Sequence, residues 1–263
     1  MDLEHAIRVG IAAAYNGAKV LTAHFGNISR IGRKGAFDLV TEADTGSENQ
    51  IIQTIREAFP EHAILAEESG AAKGNSEYRW IIDPLDGTTN YAHHLPIFTI
   101  AIALARHAEI VFGLVLNPVD GELFSAVAGK GAELNGKPIR VSSTAAVHDS
   151  LLATGFPYNF DEIIEPVMKR FTMCQDASQG VRRLGSAALD ICYVACGRFD
   201  GFWEQNLKPW DMAAGAIIAA EAGAVITDFS NQPFALDQKE ILITNGKIHQ
   251  EMLSLLALES SRF

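Results

Sequence analysis

Basic residues are scarce. Lys+Arg number 21 against 32 Asp+Glu, a formal net charge of −11. That balance argues against a bare nucleic-acid binder, whose affinity comes mainly from neutralising phosphates. It leaves room for metal ions, which would cancel a local excess of carboxylates. Cysteine is scarcer still. Cys174, Cys192 and Cys196 are odd in number and lack metal-type spacing, and Cys192 and Cys196 share one face of a predicted helix as small core residues. Long apolar runs are missing as well, since stretches such as "FTIAIALA" are far shorter than a membrane span requires. The segment "MDLEHAIRVGIAAAYNGAKVL" carries acids where a signal peptide needs bases. Its Leu3, Ile7, Ile11, Ala14, Ala18 and Leu21 recur at helical spacing, which predicts an amphipathic surface helix. No internal repeat, low-complexity tract or Pro/Ser/Gly-rich linker interrupts the chain. A cytoplasmic protein without membrane contact is the expectation.

What is present is ordinary globular material: 263 residues, 48% hydrophobic and 20% charged. That length suits one large domain or two closely packed halves. "FDLVTEAD" reads as a short strand or turn leading into a helix with Ile51, Ile55 and Ala58 inward, stopped near Pro60. "AIL" and "YRWII" are short apolar runs that end in acids. From Phe98 to about Val141 the pattern is β, with "FTIAIALAR" and "EIVFGLVLN" flanking a turn at His107–Ala108. Beyond Ser150 strands and helices alternate, as in "LLATG", "SAALDICYVACG", "DGFWE", "DMAAGAIIAAEAG" and "EILIT". An antiparallel α+β half over residues 1–145, followed by an α/β half over 146–263, predicts layered sheets and helices in one compact unit.

Acids stand at the ends of these apolar segments: Asp44, Glu67–Glu68, Asp83 with Asp86, and Asp211. Oxygen ligands with no His or Cys cluster point to Mg²⁺ or a similar hard cation. In "WIIDPLDGTTN", Pro84 fixes the backbone after Asp83 and predicts a sharp turn at the strand end. Asp83 and Asp86 then face one spot, with the Leu85 carbonyl between them as a further oxygen ligand. Gly87 allows close approach of an anion, and Thr88–Thr89–Asn90 open a helix whose amides favour phosphate. Each piece also has a plainer reading. "DPLDG" alone is a turn, Asp44 and Asp211 alone are helix caps, and Glu67–Glu68 alone is a solvated pair.

The motifs "DLVTEAD", "ILAEESG", "WIIDPLDGTTNYAHHLP", "NPVDGELFSAVAGKGAELNG" and "LKPWDMAAGAIIAAEAGA" together resemble the inositol monophosphatases of the sugar-phosphatase superfamily. They occur in that family's order over nearly the whole chain, and the stretch from Arg182 to Asp211 looks most like bacterial members. The resemblance implies a layered αβαβα sandwich and two to three Mg²⁺ ions held by Glu67, Asp83, the Leu85 carbonyl, Asp86 and Asp211. It implies that Thr88 orients the attacking water with Asp44 behind it, while the Gly87 and Thr88 amides cradle the phosphate. Glu204 and Asp211 would meet the substrate, and Gly185, Ser186 and Ala187 would border its ring. Arg182 is assigned to the substrate or to a dimer partner, or is simply an exposed base beside Arg183. Lys34 matches the base of the family's mobile loop, with Arg33 as a competing assignment. His93 and His94 are expected at the entrance.

The activity implied is Mg²⁺-dependent, lithium-sensitive hydrolysis of a myo-inositol monophosphate by an activated water in a homodimer. Sibling activities toward fructose 1,6-bisphosphate, histidinol phosphate or 3′-phosphoadenosine-5′-phosphate share the metal site. A regulatory protein that binds the transcription and RNA-maturation machinery is the reading from a different class.

Overall fold

The computed structural model describes residues 2–27, 31–33, 39–157 and 160–258. Lys34 lies outside them, as does the side chain of Arg33. Helix α1 (Leu3–His24) starts where the Asp2 carboxylate accepts the Glu4 and His5 amides, and it turns an Ala/Gly-rich face inward. A two-stranded ribbon, β1 (Ile31–Arg33) and β2 (Leu39–Thr41), leads into α2 (Glu42–Ala58). Then come β3 (Ala63–Ala66), β4 (Gly70–Ala72), β5 (Tyr78–Asp86) and the short α3 (Thr88–Ala92). Next are β6 (Thr99–Arg106), β7 (Glu109–Asn117), β8 (Glu122–Val127), β9 (Ala132–Leu134) and β10 (Lys137–Ile139).

The eight strands β3–β10 form one sheet in the order β10-β9-β8-β7-β6-β5-β3-β4. It is antiparallel except where β3 runs parallel to β5, so the sheet is mixed rather than purely antiparallel. That exception exists because the loop and β4 between them carry the chain back to the same end before β5 begins.

The later residues form β11 (Leu151–Thr154), α4 (Phe160–Ala177), β12 (Gly180–Arg182), α5 (Ala187–Ala195), β13 (Gly201–Gln205), α6 (Pro209–Glu221), β14 (Val225–Thr227), β15 (Glu240–Thr244) and α7 (His249–Leu256). Their sheet has the order β12-β11-β13-β15-β14, with parallel pairs on both sides of β11 and antiparallel pairs elsewhere.

Alternation along β6 shows how the layers are made. Ile100, Ile102 and Leu104 join the core beneath α1 and α2, while Ala101, Ala103 and Ala105 face the core shared with α5 and α6. The small residues let α6, itself rich in alanine, lie close to the sheet. A third core, with Leu152, Trp203, Leu242, Met252 and Cys174, fills the space under α4 and α7. The result is five layers: α1/α2, the large sheet, α5/α6, the small sheet, and α4/α7. Cys192 is buried in the middle layer and Cys196 half-buried at its edge, and all three thiols are free. Among the described residues no helix is long and apolar enough to cross a membrane.

Candidate active site

The end of β5 departs from the sharp turn expected after Asp83. The strand runs on, with Asp83 opposite Ala101 and Asp86 opposite Thr99, so three steps on β5 span two on β6. One extra residue has been inserted, which is a β-bulge, and a bulge is where a strand tolerates a proline without an N–H. The consequence is chemical. Residues three apart in a regular strand face opposite sides of the sheet. The extra residue brings Asp83 and Asp86 into one cavity of about 220 Å³. The chain turns only at Gly87, at φ 98° and ψ 34°, and a Cβ there would lie 2.9 Å from the Ile97 carbonyl oxygen. Glycine is therefore required twice over, by its backbone angle and by the close approach.

Helix α2 holds this segment from behind. The Ser47 hydroxyl donates to the Pro84 carbonyl at 3.0 Å. The buried Glu48 carboxylate accepts the Glu68 and Ser69 amides at 2.8 and 2.9 Å, which fixes the turn that presents Glu67. Neither Ser47 nor Glu48 was singled out in the sequence, where they read as ordinary helix positions. Their helical spacing from the inward Asp44 and Ile51 is the signal that could have found them.

Asp44 caps α2 and also reaches Thr88. One carboxylate oxygen accepts the Thr41 amide at 2.8 Å and the Thr41 hydroxyl at 2.5 Å, closing a capping box on α2. The other lies 3.1 Å from the Thr88 hydroxyl, which is also 3.1 Å from the Leu85 carbonyl oxygen. With one proton, the hydroxyl donates to one of these at a time. Burial raises the Asp44 pKa, against the pull of its hydrogen bonds. Asp211 is likewise a cap, accepting the Lys208 amide at 2.7 Å, and it also lines the cavity.

Asp86 reaches across to the other half of the chain. It accepts the Ser186 hydroxyl at 2.6 Å and the Ala188 amide at 2.8 Å, at the start of α5. Asn90 adds a second tie, donating to the Ile97 and Leu184 carbonyls, both at 2.8 Å.

Glu67, Asp83, Asp86, Asp211, Glu204 and also Asp190 line the cavity, against only Arg183 and Lys208 among the cationic side chains of the described residues. Burial first, then Glu67, Asp86 and Asp211, push the Asp83 pKa well above the ordinary carboxylate range. Asp211 is raised by burial and then by Asp86 and Glu67, against the Lys208 amide. So much buried like charge is costly unless a cation or protons neutralise it. The all-oxygen donor set suits Mg²⁺. Among the described residues no three His, Cys, Asp or Glu side chains already converge as a self-sufficient metal cluster.

Gly185, Ser186, Ala187 and Leu85 line the same cavity. Glu204 reaches it from β13, and its carboxyl occupies the space over Gly155, where a Cβ would lie 2.1 Å from a carboxyl oxygen. Arg182 is exposed on β12 and does not line the cavity, whereas Arg183 does. His93 and His94 are also absent from the wall, and His94 instead packs edge-on against Phe25 at 6.3 Å. Asp190, Arg183 and Gly155 are among the cavity residues that sequence reasoning passed over, as are Lys208 and Trp210.

A carboxylate-lined cavity with contributions from both sheets and a helix start beside it is the candidate site that these elements define. The inositol monophosphatase family model matches residues 2–261. An inositol-1-monophosphatase of Synechocystis sp. is 44% identical over 97% of this chain and 90% of its own. The Nus factor SuhB of Pseudomonas aeruginosa is 40% identical over 88% and 87%. In three dimensions, the extragenic suppressor protein suhB from Bartonella henselae superposes with a TM-score of 0.93 at 36% identity, covering 97% of this chain and 100% of its own. An inositol monophosphatase from Anabaena (Nostoc) sp. PCC 7120 gives 0.88 at 40% identity, over 97% and 96%. The chain belongs to the inositol monophosphatase family and is a phosphatase of that family.

Proposed function

We propose that this protein hydrolyses myo-inositol monophosphate to inositol and phosphate with Mg²⁺ as cofactor. The observation that carries the reading is the Asp83–Asp86 bulge. It sets two carboxylates beside the Gly87–Thr88 backbone and opposite Glu204 in one cavity. Glu67, Asp83, the Leu85 carbonyl, Asp86 and Asp211 would hold two to three Mg²⁺ ions. When bound, Mg²⁺ neutralises phosphate charge and lowers the pKa of water. The Gly87 and Thr88 amides, which by position have no intrahelical acceptor, receive phosphate oxygens. The Thr88 hydroxyl, directed by Asp44, orients the attacking water in line with the ester bond. Glu204, with Asp211, fixes a substrate hydroxyl, and Gly185, Ser186 and Ala187 border the ring. Lys34 would serve as the basic residue that matches the family's mobile loop, and Arg182 would face a second copy of the chain in a homodimer.

Phosphate release tests the reading. The panel is inositol 1-phosphate, fructose 1,6-bisphosphate, histidinol phosphate and 3′-phosphoadenosine-5′-phosphate, each with Mg²⁺, with EDTA and with Mg²⁺ plus Li⁺. Selective, Mg²⁺-dependent, lithium-sensitive turnover of inositol 1-phosphate is expected. Preference for another ester would move the function to a sibling, and no turnover would sink it. Light scattering at twice the monomer mass would support the dimer.

Similarity to proteins named Nus factor SuhB favours a second reading, binding to the transcription machinery apart from catalysis. Asp83→Asn would then lose turnover and still retain RNA polymerase in a pull-down. Failure of both the parent chain and the variant to retain it would count against that role.

A further inference from the structure

Ser186 departs from the usual chemistry of a helix start. It stands at the N-cap of α5, where a serine ordinarily accepts an amide of its own first turn, yet its side chain makes no such bond. The Ala188 amide, two residues on and a natural partner for that cap, donates instead to the Asp86 carboxylate at 2.8 Å. Ser186 turns its hydroxyl the same way and donates to Asp86 at 2.6 Å. A carboxylate 100 residues earlier in the chain has therefore taken over the cap of α5. Helix stability alone does not call for this. A serine capping its own first turn would satisfy the same amide without burying a carboxylate from another element.

The atoms involved say what the exchange achieves. Both donors fall on one oxygen, Asp86 Oδ2, and neither falls on Oδ1. An ionised carboxylate only accepts, so the single proton of Ser186 is committed to it. The Thr99 hydroxyl, 3.4 Å from the Ser186 hydroxyl, is then the donor of that second pair. Thr99 stands opposite Asp86 in the β5–β6 register, so the two hydroxyls close on the bulge from the neighbouring strand and from α5. Two donors on one oxygen fix the plane of the carboxylate and leave the other oxygen for the cavity that Asp86 lines. Ser186 is itself only 1% exposed, and its hydroxyl is spent on Asp86 before any ligand arrives.

We propose that Ser186 is a positioning residue for cation binding. Its hydroxyl holds Asp86 by Oδ2, so that Oδ1 is the oxygen offered to Mg²⁺, and it takes no part in holding a substrate ring. Thr99 supports it from β6. This rests on the metal-dependent phosphatase reading of the same site and gives the Ser186 hydroxyl a different task within it.

The test reads Mg²⁺ binding without turnover, as the Mg²⁺ concentration that gives half of the metal-induced rise in the urea unfolding midpoint. Ser186→Ala is expected to raise that concentration about 10-fold or more, the usual effect of losing a hydrogen bond to a ligating group. Its metal-free midpoint should barely move, because the side chain caps nothing in α5. Ser186→Thr keeps the hydroxyl and should return the Mg²⁺ response to within about threefold of the parent chain. Should the alanine variant fail to fold, Ser186→Gly removes the same hydroxyl with a residue that N-caps tolerate, and carries the same expectation. A lower metal-free midpoint with an unchanged Mg²⁺ response would make Ser186 an ordinary structural residue and overturn the proposal. So would a raised KM for inositol 1-phosphate at saturating Mg²⁺ with an unchanged Mg²⁺ response, which would make it a ring contact. If Mg²⁺ stabilises the parent chain and the alanine variant alike, this inference fails while the metal site stands. If Mg²⁺ does not stabilise the parent chain at all, the metal-dependent reading falls and this inference falls with it.

Discussion

The two walls of the cavity hold their carboxyl groups on different terms. On the β5 wall nearly every acid is tied down: Asp44 to Thr41 and Thr88, Asp86 to Ser186 and Ala188, Asp83 to the Leu85 amide at 3.0 Å. Ser47 and Glu48 brace the backbone beneath them. On the facing wall Asp190 has an oxygen without a partner, and Glu204 is kept in place by the empty space over Gly155. The first wall is organised before anything binds, as reaction chemistry requires. The second holds its acids with fewer partners of their own. Rigidity thus marks the proposed reaction centre, and Glu204 marks the proposed recognition surface.

If that contrast holds, variants on the β5 wall should abolish turnover, and those on the facing wall should alter selectivity. Asp83→Asn is expected to lower kcat by about three orders of magnitude or more. The same variant should raise the metal-free unfolding temperature, because it removes a charge crowded by burial, Glu67, Asp86 and Asp211. Its melting should no longer respond to Mg²⁺, and a normal Mg²⁺ shift would break the assignment. Thr88→Ala should cost about 100-fold in kcat with KM little changed, since its hydroxyl only orients. A KM effect instead would move Thr88 to the recognition side.

Gly155→Ala on the facing wall should displace Glu204 and raise KM for a polyol ester about tenfold, with a smaller effect on kcat. Equal loss on a hydroxyl-free ester would erase the difference between the walls. Ser47→Ala should cost about 1 kcal/mol, a drop of about 2–4 °C in unfolding temperature, with modest loss of activity.

The pH dependence of stability follows from the raised carboxyls. Glu204, Asp190, Asp83 and Asp211 bind protons more tightly folded than unfolded, for the first reason that all are buried. A raised folded pKa means that the native state keeps protons the unfolded chain has released, so stability falls as pH rises through the folded values. The metal-free protein should therefore melt lower at about pH 8 than at about pH 5, and Mg²⁺ should flatten the difference. A metal-free melting curve independent of pH would show that these acids are not crowded.

Much of the architecture was legible from periodicity. The paired runs "FTIAIALAR" and "EIVFGLVLN" are β6 and β7, and His107 takes the positive φ of 53° at their turn. Helix α6 and its closing Gly223, at φ 94°, follow the apolar run of "DMAAGAIIAAEAG". Short β12 and the parallel β3–β5 pairing were not legible, because three-residue strands carry no period and pairing direction depends on the path of the chain between them.

The identity of the acids in the cavity, their oxygen-only character and the family of the chain are properties of the sequence by itself. They depend on which residue types stand at which local spacing, and local spacing survives without the fold. Only the tertiary structure decided that the segment after Asp83 bulges instead of turning, because that requires β6 as a partner strand. Only the tertiary structure also brought Arg183, Gly155 and Asp190 to the same wall as Glu204. These residues lie on separate elements of the second half, and nothing along the chain records which side chains will share a cavity or which buried oxygen will be left without a partner.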